Sequence, residues 1–303
     1  MEDSKYSSED ILPATRVIGL TPDRFEDWIR VHNIGNKNTL DYFVISKSDL
    51  ISWSNSSYLS NHEFFLSLSG AKPCGTARLS IDKESGLAAI NDFVTEPGFD
   101  NESRVLAETV LSRARSSGVS VLSSWLPLIH VRLSNMLNEF TFEPDGIRYK
   151  LEAVMGVASE KPGKRICGVH AWNKTYFQHH FKIPLLQLGC RKLDLYEICY
   201  HHSMKWKPRV FGSACGVTFV GYRSESDRRQ GWLDYTLIPS MSNGEQEEIK
   251  DLITDAIGWM FADGVSEIHT EVDADRFILK PFTESGFEKA STLVEMRISL
   301  IRG

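Results

Sequence analysis

The feature that most constrains the fold of this sequence is an internal repeat of domain size. A series of residues in the first half of the chain returns 141 to 146 residues later. This period is far longer than the roughly 20 to 50 residues of solenoid repeats, so it indicates a duplicated domain. The matching residues are Gly75, Asp92, Pro97, Gly118-Val119-Ser120 and Phe142-Glu143 in the first half, and Gly216, Asp234, Pro239, Gly264-Val265-Ser266 and Phe287-Glu288 in the second.

The length of the chain agrees with two copies of one fold. A chain of 303 residues has room for two domains of roughly 100 to 200 residues each. The segment between the copies is rich in Gly, Pro, Ser and Lys, which is typical of a linker. We therefore predict a flexible tail over 1–13, a first domain over 14–155, a linker over 156–172 and a second domain over 173–303.

Composition and charge exclude several classes of protein. The hydrophobic fraction of 42% and the charged fraction of 24% are typical of soluble globular domains. A net charge of -6 argues against broad attraction to nucleic acid or anionic membranes. The sequence has neither the long apolar run of a membrane span nor an N-terminal secretory signal. We therefore expect a cytoplasmic protein that binds neither nucleic acid nor membrane, with a homodimer among its conceivable assemblies.

The cysteines and histidines favour reduced thiols over disulfides or a metal centre. The five cysteines are an odd number without a CxxC pair, which suits a reducing compartment. A segment over 179–202 gathers histidines and cysteines, the residue types that bind zinc. Its spacing from Cys190 to Cys199 is too wide for a close ligand pair, so we expect no metal. The cysteines are Cys74, Cys167, Cys190, Cys199 and Cys215.

The order of predicted elements indicates an α+β fold in each copy. Hydrophobic periodicity, caps and turn residues define these elements. In the first copy we predict helices from Thr21 and over 48–59, 102–116 and 130–137, with strands over 63–68, 75–81, 88–94, 119–123 and 147–154. In the second we predict strands over 217–222, 232–237, 267–272 and 293–300, with a helix through 249–260. The aromatic-rich segment over 172–204 allows no confident assignment.

Three stretches of the sequence resemble the GNAT superfamily of acyl-CoA-dependent N-acyltransferases. The stretch over 63–78 resembles the second and third strands of that family, and the strands that end at Pro97 and Pro239 fit the same pattern. Phe282-Thr-Glu-Ser-Gly286-Phe287 resembles its Tyr-x-x-x-Gly-Phe motif. The resemblance covers most of 14–155 and part of 205–302. It implies an α+β protein of two tandem GNAT-like domains, each a mixed, mostly antiparallel twisted sheet flanked by helices.

The resemblance also implies a cofactor site in each copy. In the family, acyl-CoA lies between two splayed parallel strands, and backbone N–H groups at the start of a helix bind its pyrophosphate. Acetyl-CoA or another acyl-CoA would then be the co-substrate. Both copies lack the usual Arg/Gln-x-x-Gly-x-Gly/Ala loop, and Ser242 with Glu245 forms a capping box that would occupy those N–H groups. The implied cofactor-binding residues are Val94, Thr95, Gly98, Asn101, Ser103, Arg104, Leu237, Ile238 and Gly244.

A repeated carboxylate is the candidate for general-base catalysis. Asp92 and Asp234 each lie five residues before the proline that ends a strand, where a base could accept a proton from an attacking amine. The alternative is a structural aspartate, open to solvent or paired with a cation. The family's Tyr, which can protonate the departing thiolate, is replaced by Phe282 and, in the first copy, by Leu137.

These residues lead to two hypotheses about function. The first is an N-acyltransferase that moves an acetyl or other acyl group from acyl-CoA to an amine of a small molecule or peptide, by direct attack. Its acceptor would lie near the first helices, where polar residues cluster. The second is a catalytically inactive GNAT-like protein that binds a ligand or serves as a scaffold. The polar residues near the first helices are His32, Asn33, Asn36, Asp41 and Tyr42.

Overall fold

A single mixed sheet organises the molecule. The computed structural model describes residues 14–37, 44–54, 61–154, 168–171, 207–212, 217–225, 228–237, 245–274 and 276–301. Twelve strands in this part of the chain form one sheet, with helices packed against it. The predicted α+β class, with a mixed and mostly antiparallel sheet, is confirmed. None of the helices in the described ranges is both long and apolar enough to cross a bilayer.

The elements predicted from the sequence are present, with ends that differ by a few residues where those ends are described. The predicted helix over 48–59 runs into residues 55–60, which lie outside the described ranges. The first half contains β1 (Thr15–Gly19), a 3-10 turn (Pro22–Arg24), α1 (Phe25–Asn36), α2 (Lys47–Ser54), β2 (His62–Ser69), β3 (Lys72–Asp82), β4 (Leu87–Thr95), α3 (Asp100–Ser116), β5 (Val121–Pro127), α4 (Val131–Glu139) and β6 (Glu143–Val154). The second half contains β7 (Gly168–Ala171), β8 (Lys207–Gly212), β9 (Val217–Glu225), β10 (Arg228–Leu237), α5 (Glu245–Ala262), β11 (Glu267–Asp273), α6 (Arg276–Glu284) and β12 (Glu288–Ser299). Strand β7 lies inside the range predicted as linker.

The two halves exchange their last strands. The strand order is β1-β2-β3-β4-β5-β12-β6-β11-β10-β9-β8-β7. Strand β12, from the end of the chain, pairs antiparallel with both β5 and β6. Strand β6, which ends the first half, pairs on its other side with β11 of the second half. The halves therefore share one continuous sheet, and each contributes a strand to the other.

The repeat in the sequence is also a repeat of backbone geometry. Gly118 and Gly264 follow α3 and α5 with φ values of 78° and 81°, the left-handed region that glycine adopts without strain. After α4 and α6, the N–H groups of Phe142 and Phe287 donate to the carbonyls of Leu137 and Phe282, both at 3.1 Å. These equal bonds confirm the register in which Leu137 and Phe282 are equivalent.

Two helices of the first half cover opposite faces of its strands. Successive strand residues point to opposite faces, so Phe65 packs towards α3 and Phe64 packs towards α1. The predicted apolar stripe of α3 lies in the first of these cores, and the stripe of α5 forms the corresponding core of the second half. Trp232, from β10, belongs to the cluster around α1. The face covered by α1 is therefore a second place where the halves meet.

Candidate active site

The parallel pair β4 and β5 separates part of the way along its length. The two strands pair from Leu87–Val121 to Ile90–Ser124. Within the described strands they form no further pairs, although β4 continues to Thr95 and β5 to Pro127. An opening therefore lies between the C-terminal ends of two parallel strands, where ligands commonly bind in α/β sheets.

A β-bulge at Asp92 marks the point where β4 leaves β5. The register between β3 and β4 shifts between Thr76 and Arg78, so two residues of β4 lie opposite Ala77. Asp92 has a φ of 50°, which is uncommon outside glycine. A bulge bends its strand and leaves a residue outside the ladder. The separation of the strands thus has a local backbone cause at the predicted aspartate.

The second half repeats this backbone arrangement. Strands β10 and β11 pair in parallel from Gln230–Glu267 to Leu233–Thr270. The register between β10 and β9 then shifts between Leu233 and Tyr235, which leaves Asp234 at the irregularity. Both candidate aspartates therefore lie at the end of a parallel pair, although the side chain of Asp234 falls outside the described residues.

Asp92 forms an ion pair with a buried arginine, and 19% of the Asp92 side chain is exposed. Arg78 Nε donates to Asp92 Oδ2 at 2.6 Å, and only 3% of the Arg78 side chain is exposed. His32 Nε2 lies 3.6 Å from Asp92 Oδ1. Burial by itself would raise the pKa of Asp92, but the Arg78 charge and then the hydrogen bond and charge of His32 hold it well below its usual range. The carboxylate is therefore ionised at neutral pH and is a weak proton acceptor.

A buried chain of hydrogen bonds extends from Arg78 across three strands. Arg78 Nη1 lies 3.1 Å from His62 Nδ1, and Ser80 Oγ lies 3.0 Å from the same nitrogen. Asn91 Nδ2 donates to Ser80 Oγ at 3.1 Å. Connected polar groups in a protein interior restrict one another, so this chain fixes Arg78 and, through it, Asp92. The cation-paired aspartate that the sequence left open is the arrangement observed here.

Helix α1 lies directly over the bulge. A Cβ atom built on Gly35 would come within 1.7 Å of Val94 Cγ1, so only glycine allows this approach. Three residues earlier, His32 is 5% exposed and stacks on Trp28 with ring centroids 4.8 Å apart. His32 Nδ1 and Trp28 Nε1 are both buried, and neither has a hydrogen-bond partner among the described residues. His32 is the predicted acceptor-side residue that reaches Asp92.

The other predicted acceptor-side residues have structural roles or lie outside the described ranges. Asn33 Nδ2 donates to the carbonyl of Ile45 at 2.9 Å, and the Ile45 N–H donates to Asn33 Oδ1 at 3.0 Å. Asn36 Nδ2 donates to the carbonyl of His32 at 3.1 Å. These amides fix the helix and the segment after it. Asp41 and Tyr42 belong to residues that the structure does not describe.

The predicted cofactor residues of the first half lie between the end of β4 and the first turns of α3. Val94 and Thr95 end the strand, and Gly98 follows with a φ of 90°. Asn101 is exposed and Ser103 is buried in α3. The N-cap residue of this helix, Phe99, makes no side-chain capping bond, so the first N–H groups keep their capacity to bind an anion.

Arg104 is engaged by carboxylates. Its guanidinium lies 2.5 Å from Glu139 Oε2 and 3.4 Å from Glu108 Oε1. Asp100, in the first turn of α3, pairs with Arg132 of α4. These groups are exposed, and such pairs contribute only about 0 to 1 kcal/mol each. Arg104 and Arg132 could therefore exchange a carboxylate partner for a bound anion at little cost.

Several predicted features of the second half lie outside the described residues. Leu237 ends β10 without a described side chain, and Ile238, Gly244 and the Ser242 of the predicted capping box fall in a range that the structure does not describe. The segment over 179–202 is outside as well. Among the cysteines, Cys74 is described as a free, buried thiol, and burial raises its pKa.

Neither half offers a hydroxyl at the position of the family's Tyr. Phe282 is fully buried and packs edge-to-face against Phe287 with centroids 5.7 Å apart. Leu137 is buried in the core of the first half. Both positions serve packing, so any proton for a departing thiolate must come from another group or from water.

One further cluster lies where the halves join. Glu152 of β6 and Glu267 and His269 of β11 have potential ligand atoms within 4.8 Å of one another, and these are residue types that hold transition metals. His269 Nε2 lies 2.6 Å from Glu267 Oε1. This contact links two residues of β11 beside Glu152, which pairs with His269 across the shared sheet.

Comparisons with known proteins identify the fold. No family model and no curated protein matches the sequence. A tandem GNAT protein from the clavulanic acid biosynthesis pathway is 11% identical with a TM-score of 0.73, covering 96% of this chain and 100% of its own. A putative acetyltransferase from Pyrococcus horikoshii is 12% identical with a TM-score of 0.65, covering 99% and 92%. A GCN5-related N-acetyltransferase from Sphaerobacter thermophilus is 11% identical with a TM-score of 0.61, covering 96% and 98%.

The chain has the fold of the GCN5-related N-acetyltransferases, present twice in tandem. Near-complete coverage of a tandem GNAT protein confirms the resemblance read from the sequence. At identities of 11% and 12% the similarity shows the fold alone. The function must be argued from the residues of the site, because one fold supports many functions.

Proposed function

We propose that this protein is an N-acyltransferase that moves an acetyl or other acyl group from acyl-CoA to an amine acceptor by direct attack. The observation that carries this proposal is the opening between β4 and β5, which begins at the Asp92 bulge and leads to the start of α3. An acyl-CoA in the opening would extend its pyrophosphate towards the start of α3, where the N-cap residue makes no side-chain capping bond and a helix N-terminus favours anions.

The chemistry of the site follows from this placement. A backbone N–H of the separated strand would donate to the thioester oxygen and stabilise the charge that develops on it. The amine nitrogen attacks the carbonyl carbon, the C–N bond forms, and the C–S bond breaks with departure of CoA as a thiolate. The amine loses one proton and the thiolate gains one, so the reaction balances without a redox partner.

We place the activity in the first half. Helix α1 packs against β4 beside the opening through Gly35 and Val94, and there it would form one side of an acceptor pocket. The buried network of Arg78, His62, Ser80 and Asn91 holds Asp92 beside that opening. In the second half, Val217 to Tyr222 of the facing strand carries no charged residue. We further propose a cytoplasmic location, which the free thiol of Cys74 supports, and a small-molecule or peptide acceptor.

A second candidate function is a GNAT-like protein that binds a ligand without catalysis. The apolar residues at the Tyr positions, Phe282 and Leu137, favour it, because neither side chain can protonate a departing thiolate. The two candidates share the cofactor opening and differ in turnover. Binding and turnover must therefore be measured separately.

The first test is calorimetric titration with acetyl-CoA, longer acyl-CoAs and free CoA. Asn101→Asp adds a negative charge to the first turn of α3, and Gln246→Glu adds one to the first turn of α5 as the matched control. At about 4 Å from a phosphate the added charge costs about 1 kcal/mol or more, so we expect Asn101→Asp to weaken CoA binding at least about fivefold. Gln246→Glu should leave binding unchanged.

Three other outcomes of these measurements would lead to different conclusions. Weakening by Gln246→Glu alone would move the site to the second half. No binding at millimolar CoA would refute the CoA-dependent function. Binding without thiol release in the presence of a panel of primary amines would favour the non-catalytic candidate.

A further inference from the structure

We propose that His32 is the group that accepts the proton of the acceptor amine, and that Asp92 positions it. This inference rests on the proposed acyl transfer in the first half. It assigns the role of base to a residue of α1, whereas the sequence alone indicated the carboxylate of Asp92 on β4.

The ion pair of Asp92 explains why Asp92 is assigned the positioning role and His32 the role of base. With Arg78 Nε at 2.6 Å from its Oδ2, Asp92 keeps its charge and has little tendency to take a proton. A permanent carboxylate beside an imidazole is the arrangement that orients a histidine base and stabilises its protonated form. Asp92 therefore suits the role of positioning residue better than the role of base.

The contact between the two side chains also selects a tautomer. His32 Nε2 faces Asp92 Oδ1 at 3.6 Å, so the neutral ring places its proton on Nε2, towards the carboxylate. The tautomer of a histidine is set by the partner of its other nitrogen. Nδ1 then carries the lone pair that a general base requires.

That Nδ1 is buried and has no hydrogen-bond partner among the described residues. More than about nine in ten buried polar groups are paired in folded proteins, so an orphaned acceptor points to a missing donor. Trp28 Nε1, on the ring stacked against His32, is orphaned in the same way. An amine that donates to His32 Nδ1 would satisfy this acceptor.

The other charged and titratable groups around His32 leave it as the candidate base. Arg78 binds Asp92 and His62, and His62 Nδ1 already contacts both Arg78 and Ser80. On α1 itself, Arg30 pairs with Glu96. The face of Trp28 lies against the His32 ring, with ring centroids 4.8 Å apart. Each charged neighbour therefore has a partner of its own.

The proposed acyl transfer balances in bonds and protons. As the amine nitrogen bonds to the thioester carbon, its proton passes to His32 Nδ1, and the C–S bond breaks to release the CoA thiolate. The imidazolium is held between Asp92 and Trp28 until its proton passes to the thiolate or to water. The products are an amide and a thiol, and His32 returns to its neutral form.

The test compares His32→Gln with His130→Gln, an exposed histidine outside the network. General-base catalysis contributes about 10²- to 10⁴-fold, so we expect kcat/KM to fall by that factor in His32→Gln while the CoA dissociation constant stays within twofold. Added imidazole should restore part of the activity of His32→Ala. Asp92→Asn should lower kcat and alter the pH–rate profile without changing CoA affinity.

A measurement independent of turnover accompanies these assays. In the ¹⁵N NMR spectrum of the whole protein, with His32→Gln used to assign the signal, we expect neutral His32 to carry its proton on Nε2. A proton on Nδ1 would overturn the proposal, as would unchanged kcat/KM in His32→Gln when the wild type is active. A wild type that binds CoA but acylates no amine would refute the proposed function, and the role of His32 with it.

Discussion

The β4–β5 opening of the first half and the β10–β11 opening of the second half share a backbone and differ in their side chains. In both, parallel pairing ends beside an aspartate at a register shift. Around Asp92 the structure places Arg78 and His32. Opposite Asp234, the part of β9 from Val217 to Tyr222 contains no charged residue. The two halves thus share the register shift at which the sheet opens, and they differ in the charged residues beside it.

The openings also differ in what lies nearby. In the first half, the face over the bulge is covered by α1. In the second, Trp232 packs into the hydrophobic cluster around that same helix, with its ring 5.5 Å from that of His269. We infer that the described part of the second half completes the structure around the first-half site.

The largest expected effect concerns the separation of the halves. A fragment of residues 1–163 loses β12, which lies between β5 and β6, and β11, the other partner of β6. Unpaired strand edges promote association, so we expect the fragment to be insoluble or oligomeric by size-exclusion chromatography with light scattering. Co-expression with residues 164–303 should restore a soluble complex. A monomeric fragment with cooperative unfolding would show that the first half can close its sheet alone.

The next expected effect tests the ion pair that distinguishes the two openings. Arg78→Met removes the guanidinium partner of Asp92, whose side chain is 19% exposed, and breaking a buried pair costs up to about 3 to 5 kcal/mol of unfolding free energy. The control Arg104→Met removes an exposed pair and should cost about 0 to 1 kcal/mol. Urea unfolding followed by circular dichroism measures both. Adding Asp92→Asn to Arg78→Met should recover part of the loss, and equal effects of Arg78→Met and Arg104→Met would contradict the buried pair.

Much of the fold could be predicted because its signals are local. The apolar stripe of α3 has helical spacing, and Gly118 and Gly264 stand where a helix ends in the left-handed region. The strand exchange could not be predicted in this way. The sequence patterns of β6 and β12 predict that each is a strand. Which strand each one pairs with depends on contacts with residues more than a hundred positions away in sequence.

The site was predictable to a similar degree. Asp92 stood out because the repeat placed an aspartate before a proline in both halves. Its partner Arg78 lies across the β3–β4 hairpin, where the register pairs Arg78 with Asn91. In a regular strand Asp92 would point to the opposite face from Asn91, so the contact between Arg78 and Asp92 depends on the bulge and could not be predicted by counting along the strands. The contact with His32 depends on the packing of α1 through Gly35 and Val94, which no local pattern reveals.

The smallest expected effect concerns a position where the halves differ in one residue. Thr141, after α4, has a φ of 66°, and Gly286, after α6, has a φ of 96°. A left-handed conformation destabilises a residue with a Cβ by about 1 to 2 kcal/mol. Glycine avoids this penalty, but its larger loss of backbone entropy on folding offsets about 0.5 to 1 kcal/mol of the gain. Thr141→Gly should therefore stabilise the protein by up to about 1 kcal/mol in urea unfolding. Gly286→Ala should destabilise it by about 1 kcal/mol. Because the Thr141 side chain is exposed, a loss of stability in Thr141→Gly would mean that the turn after α4 depends on that side chain and is not the equivalent of the turn after α6.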